Sequence, residues 1–460
     1  MKKGLIAIIL FVFAVPAVFG TIITNTNQSV MYIRLPARNA SMLIDAVYYN
    51  PAGVVHLGDG FHLAIHNQSI WQEKTVINSF PLLNNDTYVG EVNVPIFPSF
   101  FAVYKKDKLA ISFGFGPNSG GGTADFTTGL PTFEIPVSLV PTLISQLGVP
   151  TSAYSVDMAF KGKSVYYGFQ GNISYAINNV FSVAAGVRYI HAVTEYDGEL
   201  KNIQVNPQHP LINPSGGMMS AVAFFTAVQQ PGYAAAAADI AADVKQTGSA
   251  ITPLLGLNIR PNDSLNIGIR YEFNTKLEMT NDTTVDGTGL FPDGFEFRND
   301  IPAILSLGIE YAVAPQLRIM VSYNLFFDKS AVWERLDPTT KQVDTTIKQD
   351  DLIDSNSYDI SVGFEYDITE TILISAGYLR TQVGVKDEYQ DGFSHELNSN
   401  TIGFGGRIML TPKISLDLGG LYTSYTDAEI PLQRIDFPLP FTEKYQRSNW
   451  AFSIGIGFHL

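Results

Sequence analysis

Apolar and polar residues alternate one by one along most of the chain beyond residue 60. At the C-terminal end Trp450, Phe452, Ile454, Ile456, Phe458 and Leu460 share one parity; Ala451, Ser453, Gly455, Gly457 and His459 share the other. Successive side chains of a strand point to opposite faces, so this order predicts a strand greasy on one face and small or polar on the other. The split recurs. Leu265, Ile267, Ile269, Tyr271 and Phe273 oppose Asn266, Gly268, Arg270 and Glu272, and Tyr358, Ile360, Val362, Phe364 and Tyr366 oppose Asp359, Ser361, Gly363, Glu365 and Asp367.

A soluble sandwich has the same alternation with its apolar face inward. Three features predict the inverse arrangement, apolar side chains facing lipid. The strands run to about ten residues or more, where globular strands average five or six. Aromatic residues gather near strand ends, as in interfacial girdles. Tight connections, such as Asn178-Asn179, Ala314-Pro315 and Thr411-Pro412-Lys413, alternate with long ones at 78–90, 117–152, 201–248, 280–294, 337–349, 387–395 and 428–445. Short turns on one side and long loops on the other are the habit of outer-membrane barrels. The pattern therefore predicts an all-β fold: a transmembrane antiparallel β-barrel of about fourteen strands, an even number. The spans are 61–74, 92–104, 108–116, 155–177, 180–199, 250–260, 264–278, 295–313, 316–335, 352–366, 370–385, 396–410, 413–427 and 446–460. Two outer segments read as helical: 138–147, and the Ala-rich 220–245. Met218, Met219, Phe224 and Phe225 give the second a greasy side, expected to be an apolar landing surface, for which adaptable Met and Phe are suited.

The N-terminus departs from this pattern. Lys2, Lys3 and the apolar run 5–15 read as a signal peptide over residues 1–20, since the run is too short to span a bilayer as a helix. Between it and the first long strand, Asn50-Pro51-Ala52-Gly53 breaks any regular element, because Pro51 lacks a donor and biases Asn50 away from the helical region. Residues 21–60 are expected to be a small N-terminal hatch inside the lumen, with 61–460 forming the barrel and its partly helical extracellular loops.

Composition narrows the functions. The 460 residues carry a net charge of −14, with only 16% charged residues and no cysteine. No basic stripe offers itself to phosphates, so a nucleic-acid partner is not expected, and disulfides and thiolate metal sites are excluded. His62 and His66 share a strand face, but carboxylates nearby are few, so no metal is expected. Gly120-Gly121-Gly122 lacks the lysine of a phosphate loop, and the seven histidines lie in no nucleophile signature, so neither an enzyme nor a cofactor is expected.

The segment DAVYYNPAGVVHLGDG at 45–60, following Arg38-Asn39-Ala40 and preceding a long strand, resembles the FadL/TodX family of outer-membrane transporters for long-chain fatty acids and other hydrophobic compounds. Asn50-Pro51-Ala52 is the specific part of the likeness. The strand number, the long apolar loop after the fifth strand and Pro302 in the eighth extend it along the mature chain. The resemblance implies a hatch that plugs the bore, gated at Asn50, Pro51, Ala52 and Gly53, and a kinked third strand that opens a lateral gap to the bilayer. Gly114 and Gly116 are the expected kink, since glycine in a strand often marks a bend. The double change Pro51→Ala and Gly53→Ala is expected to alter flux more than stability.

The expected function is passive, outer-membrane uptake of hydrophobic molecules by a monomer in contact with the bilayer. A fatty acid needs an apolar pocket and an anchor for its carboxylate, and arginine pairs both oxygens without deprotonating. Arg188 and Arg318, which strand phase points into the barrel beside long loops, are the expected anchors. The alternatives are a general porin for small polar solutes and a structural or adhesive barrel.

Overall fold

In the strand Tyr358–Asp367 every odd step faces out and every even step faces in. Ile360, Val362 and Phe364 are exposed, while Asp359, Ser361 and Glu365 are buried. A water-soluble protein would bury the first set. Here the greasy set covers the outer surface, and the polar set lines the interior. The computed structural model describes residues 24–337, 340–345, 348–434 and 437–460. The expected signal peptide lies outside them.

Fourteen strands form the wall. They are β1 (Gly60–Asn78), β2 (Thr87–Lys106), β3 (Leu109–Phe126), β4 (Tyr154–Ala176), β5 (Phe181–Val205), β6 (Ile240–Asn262), β7 (Leu265–Glu272), β8 (Ile304–Ala314), β9 (Leu317–Phe326), β10 (Tyr358–Asp367), β11 (Ile372–Gln382), β12 (Ser399–Thr411), β13 (Ile414–Tyr425) and β14 (Phe437–His459). Each pairs antiparallel with the next, and β1 closes on β14 from His62↔His459 to Asn78↔Glu443. Closure leaves no sheet edge in lipid, where an unpaired amide has no water to turn to.

A transmembrane strand needs roughly 9–11 residues. The 25 residues of β5 therefore rise well above the hydrocarbon layer. The expected strands over 295–313 and 316–335 are shorter in the structure. Pro302 has no amide for the ladder, so β8 starts at Ile304, and β9 stops at Phe326, before a 3-10 turn at Asp328–Ser330. The outer ends of β3, β6 and β14 run further than their sequence patterns suggest, because they pair with the long outer ends of β4, β5 and β1.

Helices occupy the outer loops and the bore. Above the wall sit α3 (Pro131–Ser138), α4 (Val140–Gln146), α5 (Ala221–Ala227) and α6 (Pro231–Ala236). Inside lie α1 (Val30–Arg34), α2 (Ala46–Tyr49) and a 3-10 turn at Pro51–His56. Ser29 caps α1 by accepting from the Tyr32 amide, and Pro51 opens the turn where its missing donor costs nothing. Val30, Ile33, Val47 and Val54 form a dry cluster with Ala64, Phe101 and Ala451 of the wall. Missing side chains let the two parts approach. A Cβ on Gly268 would lie 2.1 Å from the Asn39 carbonyl oxygen, and one on Gly308 would lie 2.4 Å from the Ala40 nitrogen.

Candidate functional site

Polar bonds from hatch to wall fix the floor of the lumen. Asn50 donates to the Ser41 carbonyl at 3.0 Å and to Asn258 Oδ1 at 2.7 Å, and Ser174 and Ser182 donate to the carbonyls of Pro51 and Ala52 at 2.7 Å each. A Cβ on Gly53 would meet Asn50 Nδ2 at 2.5 Å and the Ser41 oxygen at 2.6 Å. Gly53→Ala thus disturbs packing directly, so the double change carries a cost in stability beside the expected change in flux. This tripeptide is a wedge against β4, β5 and β6, the part of the hatch with least room to move.

Two buried charge clusters bolt the hatch in place. Arg34 reaches Glu365 of β10 at 2.7 Å and Asp417 of β13 at 3.4 Å. Arg38 pairs with Asp45 at 2.9 Å inside the hatch and lies 3.6 Å from Glu365. On the other side the guanidiniums of Arg188 and Arg270 both lie over the Tyr48 ring, at 4.7 and 4.5 Å from its centre. Arg188 pairs with Glu272 at 2.5 Å and bonds Gln170. Arg318 pairs with Asp367 at 2.9 Å and Glu365 at 3.3 Å. Both expected carboxylate anchors are thus matched by the protein's own carboxylates, and neither lines the cavity described next. Sequence phase placed them inward; it could not show that Glu272 and Asp367 occupy them.

Above the hatch lies a cavity of about 390 Å³. Its floor includes Asn25, Asn27 and Tyr32 of the hatch, and its roof is formed by residues 393–397 of the loop between β11 and β12. One wall is apolar: Val92, Val94, Phe97, Phe126 and Phe160. Polar residues line the rest: Lys163, Ser164, Thr194 and Gln246 on β4 to β6, and Thr381, Thr401, Thr423 and Asn449 together with Lys74 and Arg447. The expected apolar pocket is therefore two-faced. Four lining residues have buried polar atoms with no partner: Asn27 Oδ1, His395 Nε2, Arg447 Nε and Asn449 Oδ1. Lys74 makes no hydrogen bond or ion pair among the described residues. Arg447 lies 3.8 Å from Glu396 and 5.1 Å from the Tyr425 ring. Burial holds His395 well below the usual imidazole range, so it is neutral, and burial raises the carboxyl of Glu396. Among the lining residues Glu396 is the one carboxylate beside this basic pair. Sequence reasoning missed the pair because Lys74 and Arg447 lie on the closing strands β1 and β14, far apart in the chain.

The β2–β3 ladder is interrupted at the cavity's side. β2 pairs with β3 at Glu91↔Asp125 and Val92↔Ala124, then not again until Phe100↔Phe115. Pro95 and Pro98 on β2 and Pro117 on β3 cannot donate to a ladder, so the unpaired stretch has a cause in the sequence. On the β4 side the register of β3 slips at Pro117–Ser119 and Gly120–Gly122, with Gly120 at φ 65° and Gly121 at φ 147°. Of the expected Gly114 and Gly116, both stay in register with β4, but on the β2 side the ladder breaks after Phe115, so Gly116 opens the unpaired stretch. Those two lack side chains because the hatch presses there: a Cβ on Gly114 would be 3.1 Å from Val47, and on Gly116 2.4 Å from Gln28. The start of the hatch covers the gap from inside. The Asn25 amide donates to the Asn118 carbonyl at 2.9 Å, and Gln28 Nε2 to that of Pro117 at 2.6 Å.

The family described as outer membrane protein transport protein (OMPP1/FadL/TodX) matches residues 149–458. The chain belongs to this family. Among solved structures a Pseudomonas aeruginosa FadL homologue is 14% identical, with a TM-score of 0.63 over 95% of this chain and 99% of that one. The Pseudomonas putida toluene transporter TodX (14%, TM-score 0.56, 91% and 95% covered) and the Ralstonia pickettii toluene transporter TbuX (15%, 0.55, 91% and 94%) share the fold. No curated protein matches the sequence.

His62 and His66, set aside as metal ligands, have other surroundings. His62 Nδ1 lies 2.9 Å from His459 Nδ1, and His66 packs against Phe101. Phe224 and Phe225 are 1% exposed, so they do not form a landing surface. They pack with Val137, Ile144 and Tyr154 into a core that binds the loop helices together; Met218, 44% exposed, stays outside it, and Met219 is half-buried at its edge. The helical period identified an apolar side but not which loop would cover it.

Proposed function

We propose that the chain conducts amphiphiles with an anionic head, such as long-chain fatty acids, passively from the cell exterior into the outer membrane. The observation that carries this reading is the cavity itself: floored by the hatch, two-faced in polarity, and adjacent to the unpaired stretch of β2 and β3. The apolar wall takes the chain of the ligand. Lys74 and Arg447 take its carboxylate, which supplies an acceptor for the unpartnered Arg447 Nε. Arg188 and Arg318 serve as bolts for the hatch and the lower wall.

The exit is lateral. The hatch fills the bore and is bonded to the wall on both sides, so the route of least disruption leads past residues 25–28 and out between β2 and β3. Displacing two amide donors from the carbonyls of Pro117 and Asn118 costs about 1–3 kcal/mol; withdrawing the bolted hatch would cost several buried ion pairs. No step requires a nucleotide or a proton. Proteoliposomes holding a pH-sensitive dye, challenged with dodecanoate, test the reading: saturable uptake without steady ion conductance supports it. A large steady conductance would instead favour the porin.

A further inference from the structure

We propose that Phe393 is a size-selecting gate between an outer apolar cleft and the inner cavity; this deepens the route above and rests on it. The outer cleft, of about 50 Å³, is lined by Phe133, Leu200, Ile240, Leu290 and Phe291, and it faces away from the hatch. It shares three residues with the cavity: Phe160, Tyr196 and Phe393. The two spaces therefore meet at these three rings.

Of the three, Phe393 is placed to move. Phe160 and Tyr196 project from β4 and β5, whose ladder runs unbroken through both positions. Phe393 sits on a loop with no regular structure, and its ring meets Phe160 edge-on at 4.9 Å between centroids and Phe133 at 5.5 Å. The loop tip that carries it is closed on itself. Gln390 donates to the Glu396 carbonyl at 2.7 Å and accepts from its amide at 2.9 Å, while Asp391 accepts from the amides of Phe393 and Ser394 at 2.8 and 2.7 Å. The backbone is pinned, so the moving part is the ring. Rotation about its own side-chain bonds breaks two edge contacts and opens the passage without melting any secondary structure. The ring's bulk then sets the cross-section admitted: a straight alkyl chain needs a small excursion, a ring-bearing one a larger one.

The test uses full-length protein in detergent, with dansyl-labelled undecanoic acid and unlabelled dodecanoic acid as probes in stopped-flow fluorescence. A gate changes rates in both directions and leaves equilibrium unchanged. Phe393→Ala is expected to raise association and dissociation by roughly tenfold each, more for the dansyl acid than for dodecanoic acid, with Kd moving less than twofold. Phe393→Trp is expected to slow both. Unaltered rates in both variants, with the native protein binding normally, overturn the gate alone. A faster dissociation matched by a weaker Kd also overturns it, since Phe393 would then be a binding contact. No saturable binding by the native protein overturns the reading of the cavity and the gate with it.

Discussion

Arg34 is the most informative residue to remove from the hatch. Its guanidinium is completely buried and lies 2.7 Å from Glu365 and 3.4 Å from Asp417, two carboxylates on different wall strands. Removing one partner of a buried ion pair costs about 3–5 kcal/mol, because the other charge is left without compensation. Here the remaining charges soften the loss. Glu365 keeps Arg318 at 3.3 Å and Arg38 at 3.6 Å, and Asp417 keeps Arg407 at 3.1 Å. The lower end, about 3 kcal/mol, is therefore expected, which raises the unseated fraction of the hatch by roughly a hundredfold. Arg34→Met preserves much of the bulk while removing the charge. The wall retains every ladder bond, so the variant should still migrate as a folded barrel on an unheated gel. In planar bilayers it should open about a hundred times more often than the native chain, since an unseated hatch leaves the bore to ions. Native-like conductance from a correctly folded Arg34→Met protein would refute the claim that buried charge holds the hatch.

Lys74→Met should weaken dodecanoate binding by roughly 10–100-fold, the worth of one charge-assisted hydrogen bond, and leave dodecanol binding unchanged; isothermal titration of both ligands checks it. Gly268→Ala drives a Cβ into the Asn39 carbonyl and should lower hatch stability by about 1–3 kcal/mol, seen as earlier exchange of hatch amides in mass spectrometry. Asp391, at the tip of the roof loop, has its carboxyl pushed up to about 7, chiefly by burial, with Glu443 adding to the rise and Arg335 opposing it. A carboxyl whose folded pKa lies above its unfolded value favours the folded tip in its protonated form. That contribution is present near pH 4 and is lost as pH climbs toward 7. The roof should therefore loosen, and ligand exchange quicken, between about pH 4 and 7 in the native chain and much less in Asp391→Asn.

Much of the fold was legible because a membrane wall leaves a simple mark. Lipid on one side and a packed polar lumen on the other force alternation residue by residue, so Tyr358 to Asp367 could be read almost directly. The break before β1 was legible from Asn50-Pro51-Ala52, whose proline lacks an amide donor and opens a 3-10 turn in the structure. The site was harder. Arg188 and Arg318 face inward as their parity demands, but parity says nothing of which carboxylate stands across the bore. Lys74 and Arg447 come from opposite ends of the chain and meet only because β1 pairs with β14. The break in the wall had a sequence signal in Pro95, Pro98 and Pro117. Gly116 stands at the start of that break and Gly114 just before it, and the small size of both also makes room for the hatch. Phe224 and Phe225 looked like a surface because a helical period cannot show a loop folding over it.

The central claim is that ligand leaves sideways between β2 and β3. A Cβ on Gly122 would lie 2.5 Å from Val94 Cγ2, so cysteines at 94 and 122 can be joined across the gap, and the chain has no other cysteine to interfere. With the disulfide formed, the account predicts that dodecanoate still binds in the cavity while its delivery to liposomes falls to background, and that reduction restores delivery. Full delivery through the stitched wall would contradict it.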